Sequence, residues 1–245
     1  MAVVTIDRPE VRNAVNSATA AELVAGFERF EADHSLAVAI LTGAGGNFCA
    51  GFDLKELAGA PASYRAGAKG PGPMGPTRME LSKPVIAAVE GYAVAGGLEL
   101  ALWCDLRVAG RGSTFGVFNR RFGVPLIDLA TIRLPRIIGE GRALDMILTG
   151  RPVADAEALQ IGLVARLVET GEALNEAMTI ARQIAAVPQG ALRADRRSVK
   201  AQWSLSLDKA IKSEYEGGAK VISSGESQAG AKDFARGKGR HGSPS

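Results

Sequence analysis

Two short stretches of the sequence are apolar at every position, and they limit the folds that the chain can adopt. Residues 37–41 read AVAIL and Val85–Val89 read VIAAV, and residues 106–109 (LRVA) differ from them by one arginine. Strands in which polar and apolar residues do not alternate are typical of parallel sheets with helices on both faces. Because helical patterns separate these stretches, the sequence predicts an α/β fold.

Strands and helices are expected to alternate in the first part of the chain, and helices to dominate the second. Ala2–Ile6 is a predicted strand, and residues 17–31 have the spacing of an amphipathic helix. After residue 131 the predicted helices cover residues 141–148, 155–162 with Asp155 as a cap, 174–184, 188–202 and 207–223, with a strand at 163–168. We therefore expect a core of residues 1–187 and a helical region of residues 188–245 with a frayed basic end.

Residues 59–76 form a segment rich in glycine and proline, GAPASYRAGAKGPGPMGP. These residues at this density exclude a regular helix. The segment is predicted to be a mobile surface loop, which is either a lid over a site or a plain insertion.

Charge and cysteine content argue against several classes of protein. The 29 basic residues exceed the 26 acidic residues by only three, and no basic run lies beside aromatic residues, so no nucleic-acid partner is expected. The two cysteines form no CxxC pair, which argues against a disulfide framework and favours a reducing, cytoplasmic location. No signal-peptide pattern begins the chain, and Glu90 and Glu99 interrupt its longest apolar stretch, so no membrane association is expected.

Neither of the two histidines lies in a sequence typical of a catalytic base. His34 is part of the polar turn EADHSL, and His241 lies close to the C-terminus. Serine–histidine catalysis and a histidine-bound metal are therefore not expected, and no metal site is predicted. Any proton transfer falls to carboxylates.

The glycine-rich stretch LTGAGGNF does not meet the requirements of a dinucleotide site. Phe48 occupies the position of the third glycine of that fingerprint, and Asp53 follows too soon to bind a ribose. We therefore expect no nucleotide cofactor.

Two other segments place backbone amides at the start of predicted helices. In FCAGFDLKEL, Asp53 is a candidate helix cap, which leaves the amides around Phe52 free. In EGYAVAGGLELALWCDLRVA, Gly96 and Gly97 precede a helix and allow a ligand to approach the backbone closely. The amides of Phe52 and Gly96 are thus components of a candidate oxyanion hole. Glu99 follows in the first helical turn, where a carboxylate is favoured by the helix dipole or is functional.

Both segments resemble the signature sequences of the enoyl-CoA hydratase/isomerase superfamily, also called the crotonase superfamily. Three further stretches resemble the family in the same order: VTIDRPEVRNAVN, SKPVIAAVEGYA and LTGRPVADAEALQIGLVARLV. The resemblance extends from about Val3 to Val168 and more loosely through the C-terminal helices. Several motifs in the right order make it far more specific than a single glycine-rich loop.

The resemblance implies a fold, a substrate and a mode of catalysis. Family members have a spiral core of ββα turns, followed by C-terminal helices, and assemble into trimers or dimers of trimers. They bind acyl-CoA thioesters, so CoA is part of the substrate and no separate cofactor is expected. By position in the motifs, the amides of Phe52 and Gly96 would hold the thioester oxygen and stabilise an enolate.

Further residues match family positions that lie beside the substrate. The stretch FDLK resembles the segment that lines the thioester and the adenine pocket, and the opening turn resembles a stretch beside the CoA nucleotide. The candidate substrate-binding residues are Arg12, Ala14, Ala50, Phe52, Asp53, Leu54, Lys55 and Gly96. Arg12 and Lys55 are candidates for the CoA phosphates or, equally, ordinary solvated charges.

The expected acid–base pair departs from the family pattern. Hydratases of the family use two glutamates; Glu99 matches the first, and Asn119 occupies the position of the second. Asparagine cannot act as a base at neutral pH but can position water or substrate, so hydration by the usual pair is in doubt. Asp128 lies near the point where some dienoyl-CoA isomerases carry an active-site aspartate, and it is either the partner of Glu99 or a helix cap.

The expected function is therefore that of an acyl-CoA enzyme of the hydratase/isomerase type, with Glu99 and possible help from Asp128 in proton transfer. The alternative, which Asn119 motivates, is a CoA-thioester-binding relative without hydratase activity, or a hydrolase or decarboxylase branch. A scaffold or peptide-processing relative is disfavoured because it would need a serine–histidine pair.

Overall fold

The computed structural model describes residues 1–60, 67 and 69–237 of the 245-residue chain. Its strands are β1 (Ala2–Ile6), β2 (Ala39–Gly43), β3 (Val85–Val89), β4 (Tyr92–Val94), β5 (Leu106–Gly110), β6 (Thr114–Gly116), β7 (Val153–Ala154) and β8 (Arg166–Val168). Its α-helices are α1 (Ser17–Ala32), α2 (Leu54–Gly59), α3 (Gly96–Trp103), α4 (Ala130–Ile138), α5 (Glu140–Thr149), α6 (Asp155–Gln160), α7 (Ala173–Ala186), α8 (Gln189–Ala201), α9 (Leu207–Ser223) and α10 (Glu226–Ala235).

A parallel sheet of five strands, in the order β1-β2-β3-β5-β8, forms the centre of the molecule. One face of β2 belongs to the same core cluster as α1, and the other face packs Ile40 against α7. The prediction of strands covered on both faces is therefore confirmed. The β2 strand begins at Ala39, two residues later than the apolar run, because the pattern marks burial rather than hydrogen bonding.

The arginine in the third apolar run has a structural role. Arg107 lies in β5, and its buried guanidinium donates hydrogen bonds to the carbonyls of Ala101 (3.3 Å), Cys104 (2.9 Å) and Leu163 (2.6 Å). Two of these carbonyls belong to the C-terminal end of α3, where a cation is favoured by the helix dipole.

A smaller sheet of β4, β6 and β7 completes the spiral. Strands β4 and β6 are parallel neighbours, and β6 and β7 are antiparallel neighbours. Along the chain, β3, β4 and α3 form one turn of the spiral, and β5, β6 and α4 form the next. Each of these turns contributes one strand to each sheet and one helix. This is the ββα spiral that the resemblance implies. The sequence analysis missed these strands of two or three residues, which are too short to show a pattern.

The C-terminal region is helical, as predicted, and α8 is joined to the core by ion pairs. Arg196 and Lys200 of α8 bind Asp105 at 3.0 and 2.7 Å. The division of the chain at residue 187 stays a prediction. Residues 238–245, with His241 and the predicted frayed end, lie outside the described residues.

Two local predictions are wrong. Asp155 is the first residue of α6 rather than its cap, and its carboxylate accepts a hydrogen bond from the Gly112 N–H (2.8 Å). The end of the glycine- and proline-rich segment is not a surface loop, because Met74 and Pro76 are buried. Residues 61–66 and 68 lie outside the described residues, so a lid there stays a prediction.

Candidate active site

A cavity of about 120 Å³ lies beside the N-terminal end of α3. Its lining is apolar except for three side chains: Glu99 of α3, Asn119 of the 3₁₀ turn Phe118–Phe122, and Asp128 just before α4. The fold therefore brings together all three residues that the sequence analysis selected as candidates for catalysis. A cavity of about 150 Å³ holds a benzene molecule, so this one has room for a short acyl group.

Two residues with unpaired backbone amides line the same cavity. The segments that carry Phe52 and Gly96 run side by side, because the Cys49 N–H donates to the Tyr92 carbonyl (2.8 Å) and the Val94 N–H donates to the Cys49 carbonyl (3.1 Å). Within the described part of the chain, neither the Phe52 N–H nor the Gly96 N–H donates a hydrogen bond. Both donors are thus available to a ligand.

Gly51 allows these two segments to approach each other. Its φ of +104° lies in a region that side-chain-bearing residues rarely adopt, and a Cβ atom on it would lie 3.0 Å from the Gly96 nitrogen. Ala95, just before α3, has a φ of 52° although it is not glycine. Strain of this kind persists only where the surrounding structure imposes it, and it clusters at functional sites.

Glu99 is a buried carboxylate with one occupied and one available oxygen. Its side chain is buried, and Oε1 accepts hydrogen bonds from the N–H groups of Asp128 (2.9 Å) and Ala130 (3.0 Å). Oε2 has no hydrogen-bond partner among the described residues. Burial raises the pKa of Glu99 to about 7, and the nearby charge of Asp128 adds to the effect. A group with this pKa both donates and accepts protons at neutral pH.

Asp128 is also buried, and it does not cap a helix. Its Oδ1 accepts hydrogen bonds from the Met74 N–H (3.2 Å) and from the Thr77 hydroxyl. Helix α4 begins at Ala130, and the amide there bonds to Glu99 rather than to Asp128. The helix-cap alternative for Asp128 is therefore wrong. Burial raises the pKa of Asp128 above its usual range.

Asn119 is held by one end of its side-chain amide. Its Nδ2 donates to the Val124 carbonyl at 2.7 Å, whereas its buried Oδ1 has no hydrogen-bond partner in the described structure. The side chain cannot act as a base, and its fully buried oxygen is an acceptor without a partner in the described structure.

The candidate substrate-binding residues fall into two groups. Four of them line the cavity: Ala50, Phe52, Leu54 and Gly96. Four lie outside its lining: Arg12, Ala14, Asp53 and Lys55. Arg12 and Lys55 are exposed, and Asp53 caps α2 as predicted, by accepting from the Lys55 N–H (3.1 Å), and pairs with Arg8 (3.1 Å). Contacts of this outer group with CoA stay a prediction.

Sequence reasoning missed part of the cavity wall. Met74 lines it and holds Asp128, yet it belongs to the segment predicted to be a loop, and nothing in GPGPMGP marks a buried residue. Phe118, next to Asn119 in the chain, also lines the cavity, whereas Leu126 is absent from its lining and packs against the core.

In the described ranges, no three His, Cys, Asp or Glu side chains lie close enough together to hold a metal ion. None of the helices there combines the length and the apolar character needed to cross a membrane.

Comparisons with known proteins agree on one family. The family model of enoyl-CoA hydratase/isomerase matches residues 1–240. The chain belongs to the enoyl-CoA hydratase/isomerase family. It is therefore an enzyme of a family that acts on acyl-CoA thioesters, as the resemblance implied, although the match leaves the individual reaction open.

Three members of the family illustrate how similar this chain is to known proteins. An enoyl-CoA hydratase of Mycobacterium tuberculosis is 36% identical over 242 residues, which span 95% of this chain and 89% of that protein. A carnitinyl-CoA dehydratase of Proteus mirabilis is 37% identical over 214 residues, which span 85% of this chain and 80% of that protein. The crystal structure of an enoyl-CoA hydratase from Mycobacterium marinum superimposes with a TM-score of 0.89 at 38% identity, covering 96% of this chain and 91% of that one.

Proposed function

We propose that this enzyme adds water reversibly to the double bond of an enoyl-CoA, with Glu99 and Asp128 as its acid–base pair. The observation that carries the proposal is that two buried carboxyl groups with raised pKa values line one cavity with the unpaired amides of Phe52 and Gly96. Among the relatives, one is named a hydratase and another a dehydratase, and these names support the same chemistry.

In the proposed complex, the thioester carbonyl oxygen accepts hydrogen bonds from the Phe52 and Gly96 N–H groups. These donors stabilise the negative charge that develops on the oxygen when the double bond is attacked. Each donor of this kind typically lowers the barrier by about 3–4 kcal/mol. Because the donors are main-chain groups on packed segments, little reorganisation is needed during the reaction.

The two carboxyl groups divide the proton transfers between them. The charge of Asp128 raises the pKa of Glu99, which favours a site with Asp128 ionised and Glu99 protonated. Asp128 removes a proton from water as the water oxygen bonds to C3, and the π electrons move into the enolate held by the amides. Glu99 then delivers its proton to C2. One water molecule is added in total, and proton exchange with solvent restores both groups.

The test is turnover of crotonyl-CoA, followed by loss of the conjugated double bond and by product mass in H₂O and D₂O. We expect a product heavier by one water, with deuterium at C2 in D₂O. The Glu99→Gln variant keeps the acceptor for the Asp128 and Ala130 amides but has no acidic proton, so its kcat should fall by about 10²–10⁴. Glu214→Gln, the same change at an exposed residue of α9, is the matched control.

Other outcomes contradict the proposal in distinguishable ways. Full activity of Glu99→Gln would show that another group transfers the proton. A shifted double bond without added water indicates an isomerase, and release of free CoA indicates a hydrolase. Binding without any product favours the relative that lacks hydratase activity.

We also propose that the enzyme assembles into a homotrimer or a dimer of trimers, as other family members do. Helix α9 exposes Leu207, Ile211 and Tyr215 at intervals of four residues, so they share one face. An exposed apolar face of this kind is typical of an interface. Light scattering measures the mass in solution, and a stable monomer would contradict the proposal.

A further inference from the structure

We propose that Arg8, which lies outside the described cavity lining, is a positioning residue that directs the Phe52 N–H toward the thioester oxygen. The inference rests on the proposed function, because it concerns one of the two amides assigned to that oxygen. It starts from a chain of hydrogen bonds that leads from the Arg8 guanidinium through two peptide groups to the Phe52 amide.

The direction of the Phe52 N–H is set by the peptide group that it shares with Gly51. The Gly51 carbonyl accepts a hydrogen bond from the Val15 N–H at 2.8 Å. Because the carbonyl and the N–H of a planar trans peptide point in opposite directions, the Phe52 N–H points away from Val15. The Asp53 N–H donates to the Val15 carbonyl, also at 2.8 Å, so the backbone is held on both sides of Phe52.

The direction of the Val15 N–H is set in the same way by Arg8. The Ala14 carbonyl, which belongs to the same peptide group, accepts a hydrogen bond from the Arg8 guanidinium at 2.5 Å. The Val15 N–H therefore points away from Arg8 and toward the Gly51 carbonyl. Hydrogen bonds from charged donors are stronger than those between neutral groups, and each bond in a chain polarises the next. Arg8 thus both orients the Phe52 amide and makes it a stronger donor.

Arg8 itself is held at its side chain and at its backbone. A second guanidinium nitrogen binds Oδ2 of Asp53, the residue after Phe52, at 3.1 Å. The Arg8 N–H donates to Oδ1 of the completely buried Asn13 at 2.9 Å, which closes the turn before Ala14. The side chains of Arg8 and Asp53 are only 23% and 14% exposed, so solvent screens their attraction incompletely. The planar guanidinium, with donors at fixed angles, therefore joins the turn to the segment that carries the amide.

The backbone of this turn is strained in the same sense as the backbone beside the other proposed donor. Arg12 and Asn13, just before Ala14, have φ values of 51° and 58° although neither is glycine. Ala95, just before the Gly96 amide, has a φ of 52°. Strain of this kind is retained where the surrounding contacts require one geometry. Both proposed donors therefore depend on backbone that the neighbouring structure holds in an unfavourable conformation.

The test measures how strongly the enzyme polarises a bound thioester that cannot react. Butyryl-CoA has no double bond to hydrate, and with an isotope-labelled carbonyl its C=O stretching frequency is read by difference infrared spectroscopy. This frequency falls as hydrogen bonds to the oxygen strengthen. In Arg8→Leu we expect the frequency to return toward its value in solution. The kcat on crotonyl-CoA should fall by about 10–100-fold, less than for the loss of a donor, because the Phe52 N–H remains but is misdirected.

Arg151→Leu is the matched control. Arg151 also contacts a carboxylate, that of Asp145 at 2.5 Å, and a backbone carbonyl, that of Pro152 at 3.3 Å. Neither Arg151 nor these two partners line the described cavity. The variant should be less stable than the wild type but keep the wild-type frequency and kcat.

A folded Arg8→Leu variant with the wild-type frequency and kcat overturns the inference, and so do equal changes in Arg151→Leu. If Arg8→Leu does not fold, Arg8→Lys decides, because one ammonium group cannot reproduce the fork of the guanidinium. Its frequency should move in the same direction, and a wild-type frequency and kcat overturn the inference.

Failure of the proposed function gives different results. If the wild-type enzyme leaves the frequency of bound butyryl-CoA at its value in solution, the proposed oxyanion hole fails and the inference fails with it. If the wild type lowers the frequency but does not hydrate crotonyl-CoA, the proposed reaction is wrong. A higher frequency in Arg8→Leu than in the wild type would then still support the role of Arg8.

Discussion

The central sheet and the cavity differ in how many of their buried polar groups have a hydrogen-bond partner. All five residues of β3 are buried, and the guanidinium of Arg107 in β5 donates to three carbonyls. In the described cavity lining, by contrast, the Phe52 and Gly96 amides and one oxygen each of Glu99 and Asn119 lack a partner. The difference indicates that the sheet is optimised for stability, whereas the cavity keeps groups that only a ligand satisfies.

Backbone conformation shows the same contrast. Non-glycine residues with positive φ in the described chain are Arg12, Asn13, Ala95 and Leu129, and none of them lies in a strand. Ala95 precedes the Gly96 amide, and Leu129 lies between the two residues whose amides bond to Glu99. Conformations of this kind are unfavourable by about 1–3 kcal/mol each, so part of the stability of the sheet offsets strain at the cavity.

The largest expected effect on stability is in the sheet. Ile40→Ala removes a fully buried side chain that packs against α7 on the face away from the cavity, and it should lower the free energy of unfolding by about 2–5 kcal/mol. Thermal unfolding should show a lower midpoint, while kcat per folded molecule is unchanged. Val3→Ala in β1, where the side chain is exposed, is the control with an expected change within about 0.5 kcal/mol. A proportional loss of kcat would mean that sheet and cavity are not independent.

The next effect is on catalysis and comes from Gly51→Ala. The added methyl group would crowd the Gly96 nitrogen and strain the backbone before Phe52, so kcat should fall by about 10²–10³. Gly46→Ala is the control, because Gly46 also has a positive φ but no atom lies within 4 Å of the added Cβ. Both variants should be less stable, by about 1–2 kcal/mol from strain alone. Comparable kcat values for the two variants would remove the support for an oxyanion hole at these amides.

The pH dependence of stability should reveal the raised pKa of Glu99. Burial raises this pKa from 4.5 to about 7, so the folded state binds more protons than the unfolded state between these values. Stability should therefore fall as the pH rises from about 4.5 to 7, by on the order of 3 kcal/mol in total. Urea unfolding of Glu99→Gln should lack this decline, and the variant should be more stable than the wild type at pH 8. Parallel pH curves for both proteins would contradict the prediction.

The smallest effect is a shift of the pH–rate profile in Thr77→Val. The Thr77 hydroxyl donates to Asp128, and burial raises the pKa of that carboxyl while this hydrogen bond lowers it. Without the hydroxyl, the pKa of Asp128 should rise further, and the acidic limb of kcat should move to higher pH. Thr179→Val on the exposed surface of α7 should leave the profile in place. A loss of kcat with an unshifted profile would indicate a merely structural role for Thr77.

The sequence predicted the candidate site better than it predicted the cavity wall. Phe52, Gly96 and Glu99 were identifiable because glycines and a helix start leave a local signal in the chain. Met74, in the wall, and Thr77, behind it, left none, since both contact Asp128, which is more than 50 residues away in the chain. The role of Asp128 was left open between two alternatives for the same reason: only the position of the Ala130 amide excludes the helix cap.

The sequence by itself determined the α/β class, the family and the two amide-bearing turns, because each of these is encoded over a few consecutive residues. Only the tertiary structure decided which groups share a cavity, which oxygen of Glu99 accepts hydrogen bonds and which atom of the Asn119 amide lacks a partner. These properties arise from burial and from hydrogen bonds between distant segments, and a low-dielectric environment made by many parts of the chain has no local signature.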